Sequence, residues 1–296
     1  MHSILAESAV GINCFSPDWQ ILMDHIRKFA PDRKMLALDY SSYDTRMPSQ
    51  LTRAAWESFI HLAEAGGYPQ DALTIMKAMI IDITHPLMDI NGTLLMAMNM
   101  MTSGNNMTVD GNGTDGSFLL RMGFFDKYPE VEDFRSYVAA TTYGDDMIGS
   151  VHEDYRGFNF ISYKEFLAKF GMKITLPSKS DDVVEYLPFD EADFLKRSSC
   201  YIPEIGCEVG RLEEDSIFKS LHSNLKSAVS TPREVAASCV ETALHEWFAF
   251  GRDHYDMRLK QLQEVCARQD LPVPALNFTF DERVDKWLEQ YRPNSS

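Results

Sequence analysis

The chain has 296 residues, 45% of them hydrophobic, and carries 44 acidic against 28 basic side chains for a formal net charge of −16. That is enough apolar material for one or two cored domains, and the acidic balance argues against nucleic-acid binding through a globally basic exterior. Five cysteines (Cys14, Cys200, Cys207, Cys239, Cys266) form no Cys-x-x-Cys pair, and eight histidines make no His-Glu-x-x-His motif, which argues against a structural zinc site and points to reduced thiols in a cytosolic protein. Residues 1–10 lack the charged and apolar regions of a signal peptide. Apolar stretches such as Leu94 to Met101 are too short to span a bilayer.

In chain order, Met35 to Leu38 reads as a short buried strand ending at Asp39. Leu51, Ala54, Ala55, Ser58, Phe59, Leu62 and Ala63 recur at helical spacing, and Gly66-Gly67 with Pro69 stops that helix. A second helix is expected over Leu73 to Ile83, followed by a hairpin from Thr84 to Met101 that turns at Asn91-Gly92. Thr108 to Leu120 contains Gly111, Gly113 and Gly116, each costing about 1 kcal/mol against Ala in a helix, so propensity reads it as a loop. Tyr137 to Thr142 and Met147 to Val151 read as two strands, and Tyr163 to Phe170 as a helix closed by Gly171 before a strand from Met172 to Leu176. The last third is helical. Thr231-Pro232-Arg233-Glu234 is a capping box with Pro at the first helical position, Tyr255 to Cys266 continues as a second helix, and Thr279 with Glu282 caps a third.

The chemistry concentrates in Tyr143-Gly144-Asp145-Asp146, between the two central strands. Gly tolerates positive φ and Asp tolerates tight turns, so this is hairpin chemistry. Left at a free tip, the carboxylates would simply face water. Beside the end of the Met35–Leu38 strand they would converge with Asp39 on divalent cations, and carboxylate oxygens suit Mg²⁺. Two such ions about 3.5–4 Å apart are the common device for nucleotidyl transfer.

Four further blocks accompany this tetrapeptide: Asp39 with Asp44, Ser103-Gly104 through Thr108 to Asn112, Lys179 within Leu176-Pro177-Ser178-Lys179-Ser180, and Phe194-Leu195-Lys196-Arg197. Their order and spacing resemble palm motifs A to E of RNA-dependent RNA polymerases from picornavirus-like positive-strand RNA viruses, from about Ser8 to Arg292. The resemblance implies an α+β fold, a right-hand polymerase palm of antiparallel sheet backed by helices, followed by an α-helical thumb. The expected divisions are 1–34 as a remnant of the fingers, 35–205 as palm with inserted fingers elements, and 206–296 as thumb. It also places the start of the motif B helix near Thr108, against the propensity reading, and then Thr108 and Asn112 share one face.

The resemblance further implies roles. Asp39 and Asp145 would hold two Mg²⁺ ions, for which Mn²⁺ can substitute, with Asp146 tuning the site. Asp44 and Asn112, in a block with Ser103 and Thr108, would read the ribose 2′-hydroxyl. A second reading of Asp44 is a cap for the helix starting near Pro48. Ser103 and Gly104 would form a loop near the template base and incoming nucleotide, though Ser-Gly is also a common turn pair. Lys179 matches the general acid for the pyrophosphate leaving group, or else is a fixed charge or a solvated surface lysine. Lys196 and Arg197 would meet the primer backbone, which positions without reading sequence.

The implied partners are an RNA template and primer, NTPs, a protein primer and other viral replication proteins, in membrane-associated replication complexes of the host cytoplasm. Two alternatives stay open: a reverse transcriptase-like enzyme, against which Asp44 and Asn112 argue, and an inactive acidic binding module, which leaves the five blocks unexplained. Family members carry a large fingers region ahead of motif A. Only about three dozen residues precede Asp39 here, with few cations beyond Arg27, Lys28, Arg33 and Lys34, so the chain reads as a fragment expected to be inactive alone.

Overall fold

A computed structural model describes residues 4, 6–98, 100, 104, 106–178, 183–223 and 226–291. The chain divides into two units, Met1–Gly11 with Asp24–Leu195, and Ile12–Met23 with Lys196–Ser296. Helix α1 is Pro17–Ile26, and the division falls near its end, between Met23 and Asp24.

The first unit is built on a five-stranded antiparallel sheet of order β4-β5-β1-β6, with β7 also pairing β1. Strand β1 (Lys34–Ser41) is the central one, buried from Met35 to Leu38. That continuous Met-Leu-Ala-Leu run, without polar alternation, is the pattern of a strand covered on both faces. On one side β1 pairs β5 (Asp146–Val151), and on the other it pairs β6 (Lys173–Thr175) and β7 (Leu187–Pro188) in succession. Strand β4 (Val138–Tyr143) pairs β5 along its whole length, and Ser8 adds a parallel bridge to Thr142.

Among the described residues, four α-helices and a separate hairpin run between β1 and β4. The short α2 (Tyr43–Arg46) is followed by α3 (Ser49–Ala65), which buries Thr52, Ala55, Trp56, Ile60 and Ala63 at helical spacing. Helix α4 (Gln70–Thr84) packs Leu73 against Ile60 and Ala63 of α3. Strands β2 (Leu87–Ile90) and β3 (Thr93–Met96) form the hairpin expected at Asn91-Gly92, with both turn residues at positive φ. Helix α5 is Thr108–Lys127. Its glycines form a bare face rather than a break. A β-carbon on Gly113 would stand 2.8 Å from Thr142 Oγ1, and one on Gly123 would stand 2.8 Å from the Tyr163 ring. Close approach to β4 and to α6 (Phe160–Ala168) outweighs the propensity cost.

Among its described residues the second unit joins the hairpin β8 (Arg197–Ile202) and β9 (Cys207–Leu212) to helices α7 (Glu214–His222), α8 (Pro232–Trp247), α9 (Arg252–Arg268) and α10 (Phe280–Tyr291). The expected capping boxes form: Thr231 Oγ1 accepts from the Glu234 amide at 3.3 Å while Glu234 accepts from the Thr231 amide at 2.7 Å. Thr279 and Glu282 do the same for α10. Val209, Leu244, Trp247, Tyr255 and Phe280 fill the core. The hairpin packs on α8, and Cys14 and Trp19 sit over Gly210 where a β-carbon would crowd both.

Candidate active site

The β4–β5 connection is a two-residue turn. Tyr143 pairs with Asp146, leaving Gly144 and Asp145 between them, and Gly144 has φ of 61°. Positive φ at the first central position is what Gly supplies in a tight hairpin whose twist matches its strands. Asp145 therefore projects at an exposed tip, while Asp146 is half-buried at the start of β5.

Pairing of β1 with β5 runs Leu36 to Gly149, Ala37 to Ile148 and Leu38 to Met147. One step further, the same register sets Asp39 across from Asp146, and Asp39 is also half-buried. Sheet pairing thus brings to one end of the sheet the three carboxylates that sequence separates by about a hundred positions. Among the described residues no group of three or more His, Cys, Asp or Glu side chains could by itself hold a metal ion. Magnesium usually keeps several waters and takes one or two carboxylates together with substrate phosphates, so a level Asp39/Asp146 pair beside Asp145 fits its donor chemistry.

Next to these acids lies a layer that links α2 to α5. Asp44 sits half-buried in α2. It does not cap the following helix: α3 begins after Pro48, which makes no side-chain cap bond. Asn112 lies in the first turns of α5, 9% exposed, and its Oδ1 is buried without a hydrogen-bond partner. An unpaired buried polar atom costs about 1–3 kcal/mol, and binding sites are where such a cost persists. Tyr43, 3% exposed, donates its hydroxyl to the Asn112 carbonyl oxygen at 2.7 Å. Its ring stands edge-on to Tyr40 at 4.7 Å, and Tyr40 shares a 2.7 Å hydroxyl bond with Tyr163. Burial pushes the Tyr43 hydroxyl well above its ordinary range, with lesser contributions from Tyr40, Asp115 and Asp145.

One turn beyond Asn112 is Asp115, fully buried. Thr52 Oγ1 of α3 donates to its Oδ2 at 3.2 Å, while its Oδ1 has no partner. Burial raises this carboxyl to about 7, with the Thr52 bond pulling the other way. Sequence reading passed over both Tyr43 and Asp115. The available signal for Asp115 was its place three residues after Asn112, on the same helical face.

Other sequence-derived site residues fall differently. Gly104 is exposed with φ of 103°, and Thr108 opens α5 half-buried. Ser103 and Lys179 lie outside the described residues. Lys196 is exposed, with φ of 55°. Arg197, beside it, is bonded within the second unit. Its Nη1 and Nη2 donate to Glu246 at 2.8 and 2.7 Å, and Nη1 also donates to the Gly210 carbonyl oxygen. The pair is mostly buried, with side-chain exposures of 15% and 10%, so this guanidinium fastens β8 to β9 and α8.

A family model described as viral RNA-dependent RNA polymerase matches residues 1–267, and the chain belongs to that family. It is 25% identical to the replicase polyprotein of Drosophila C virus (strain EB), over 95% of this chain and 17% of that polyprotein. It is 26% identical to the RNA1 polyprotein of Cherry rasp leaf virus, over 89% of this chain and 12% of the relative. Among solved structures, the Sicinivirus 3Dpol RNA dependent RNA polymerase matches with a TM-score of 0.67 at 17% identity, over 99% of this chain and 58% of that one. The fold is therefore that of a viral polymerase. The chain spans a small part of the polyproteins and little more than half of the solved polymerase.

Proposed function

We propose that this chain carries the catalytic palm and the thumb of a viral RNA-directed RNA polymerase, which adds ribonucleotides from NTPs to the 3′-hydroxyl of an RNA primer on an RNA template. The register that sets Asp39 level with Asp146, beside the Asp145 turn, is the observation that carries this reading. In it the first unit is the palm and the second the thumb. Asp39 and Asp145 hold two Mg²⁺ ions, or Mn²⁺ in their place, and Asp146 tunes the pair. When bound, the ions supply Lewis acidity toward the 3′-hydroxyl and neutralise triphosphate charge.

The remaining residues bind and orient. Asp44 and Asn112 meet the ribose hydroxyls, the unpartnered Asn112 Oδ1 being a ready acceptor for a 2′-hydroxyl. Ser103, Gly104 and Thr108 border the nucleotide, Lys179 protonates or neutralises the departing pyrophosphate, and Lys196 meets a primer phosphate. Arg197, bonded to Glu246, holds the strand that follows Lys196. The wider expectations, namely a protein primer, other replication proteins and a membrane-associated complex in the host cytoplasm, belong to the same proposal. Among the described residues no helix is long and apolar enough to cross a membrane.

The test is primer extension with Mg²⁺ and NTPs, using the longest natural polypeptide that contains these residues. Asp145→Asn should lower incorporation by several orders of magnitude with unchanged folding, because transition-state charge stabilisation is lost along with positioning. A variant that extends primers near the unmodified rate would overturn the metal assignment.

A further inference from the structure

Asp44 and Asn112 sit on different elements, α2 and α5, 68 positions apart in the chain. Two groups that read one ribose must keep a fixed separation, since a displacement of about 1 Å can cost a hundredfold in a positioned reaction. Loops alone do not supply such rigidity. Among the described contacts, the one that ties the two elements is the hydroxyl of Tyr43, the residue next to Asp44, donating to the main chain of Asn112 itself.

The surroundings make this bond specific. In helical geometry the Asn112 carbonyl points toward residue 116 one turn on, and residue 116 is glycine. A β-carbon there would stand 3.5 Å from the Tyr43 hydroxyl and 3.6 Å from the Thr142 methyl. The bare helix surface lets a phenol reach a carbonyl that a larger side chain would screen. Tyr43 is itself held from behind by Tyr40, whose hydroxyl is fixed by Tyr163. The aromatic column thus runs from the strand that carries Asp39 to the helix that carries Asn112.

We propose that Tyr43 is a positioning residue for sugar selection, its hydroxyl setting the separation between Asp44 and Asn112 through the Asn112 carbonyl. The inference rests on the reading of Asp44 and Asn112 as ribose readers. Tyr43 does not touch the nucleotide. Removing its hydroxyl leaves the Asn112 carbonyl its ordinary helical partner, so the fold survives and the alignment of the two readers loosens.

The experiment compares kcat/KM for an rNTP and its dNTP in Tyr43→Phe, Asp44→Ala, Asn112→Ala and the Tyr43→Phe/Asn112→Ala double variant, in the longest natural polypeptide that contains these residues. Tyr186→Phe, which removes a phenol bonded to the Arg156 and Phe158 carbonyls, controls for loss of a buried hydroxyl. Tyr43→Phe should lower the rNTP-over-dNTP ratio about three- to tenfold, mainly by raising KM for the rNTP, with little change in melting. In the double variant the two effects should be less than multiplicative, because both act through one residue. Tyr186→Phe should leave the ratio unchanged. If Asp44→Ala and Asn112→Ala lower the ratio while Tyr43→Phe does not, or if the double variant is fully multiplicative, the positioning role is overturned and the ribose reading stands. If neither reader variant moves the ratio, both fall.

Discussion

Thr142 Oγ1 of β4 stands 2.8 Å from where a β-carbon on Gly113 of α5 would be, with the Gly113 carbonyl oxygen 3.1 Å from the same hydroxyl. The helix that carries Asn112 lies this close to the sheet because residue 113 has no side chain. Gly113→Ala should gain about 1 kcal/mol of helix propensity and lose about 1–3 kcal/mol to overpacking, for a net loss. Gly149→Ala should cost more, since its β-carbon would meet the Ala139 carbonyl oxygen at 2.6 Å and the Ala140 Cα at 2.9 Å, backbone atoms that cannot turn aside. Denaturant unfolding of both variants checks the ranking. A stabilised Gly113→Ala would mean that the helix–sheet spacing is set elsewhere.

Glu7 should make the first unit sensitive to acid. It is 6% exposed, and Arg121 meets it with two hydrogen bonds of 2.7 and 2.8 Å while Arg135 adds a third. Burial pushes its carboxyl upward, but Arg121, Ser117 and Arg135 together hold it below the usual 4.5. Its folded pKa is thus the lower one, so its contribution is present above about pH 4.5 and lost as pH falls below that. Glu7→Ala should destabilise the first unit at pH 7, because Arg121 and Arg135, with side chains 26% and 48% exposed, lose their shared buried acceptor. The deficit should shrink in acid, which unfolding curves at pH 7 and pH 3.5 would show.

Asp115 should act in the opposite sense. Its carboxyl is raised from 3.8 to about 7 by burial, so its best contribution to stability lies below about pH 4 and is lost as pH rises toward 7. Each pKa unit corresponds to about 1.4 kcal/mol, so Asp115→Asn should be on the order of 4 kcal/mol more stable than the native chain at pH 8 and near parity at pH 4. Melting at the two pH values decides it. Equal differences at both would show that the carboxylate is solvated after all.

Lys196 and Arg197 are neighbours with different expected phenotypes. Lys196→Ala should weaken RNA binding uniformly across sequences and reduce the slope of log affinity against log salt by about 1, the signature of one lost phosphate contact. Arg197→Ala should instead destabilise the second unit, because it strands Glu246 in a largely buried site. Salt-dependent RNA titration read alongside thermal melting separates the two. A strong binding loss with normal melting for Arg197→Ala would restore it as a phosphate contact.

The sequence by itself determined the local elements and the chemistry of the turn. Short apolar and β-branched runs located β1, β4 and β5, which are buried almost throughout, and helical apolar spacing with capping boxes located α8 and α10, because burial imposes its pattern on the chain. Gly144-Asp145 marked a tight hairpin because its first position needs positive φ. Three things needed tertiary structure. Propensity reads the Gly111–Gly116 stretch as a loop, and only packing against Thr142 and Tyr43 shows why a bare helix face is worth its cost. Arg197 looked like a free cation beside Lys196, until folding brought Glu246 to it from 49 residues away. Tyr43 and Asp115 carry no motif at all, since their importance lies in a carbonyl and a threonine hydroxyl that sequence distance conceals. A residue type states which partners it can accept, and the fold alone decides which partner arrives.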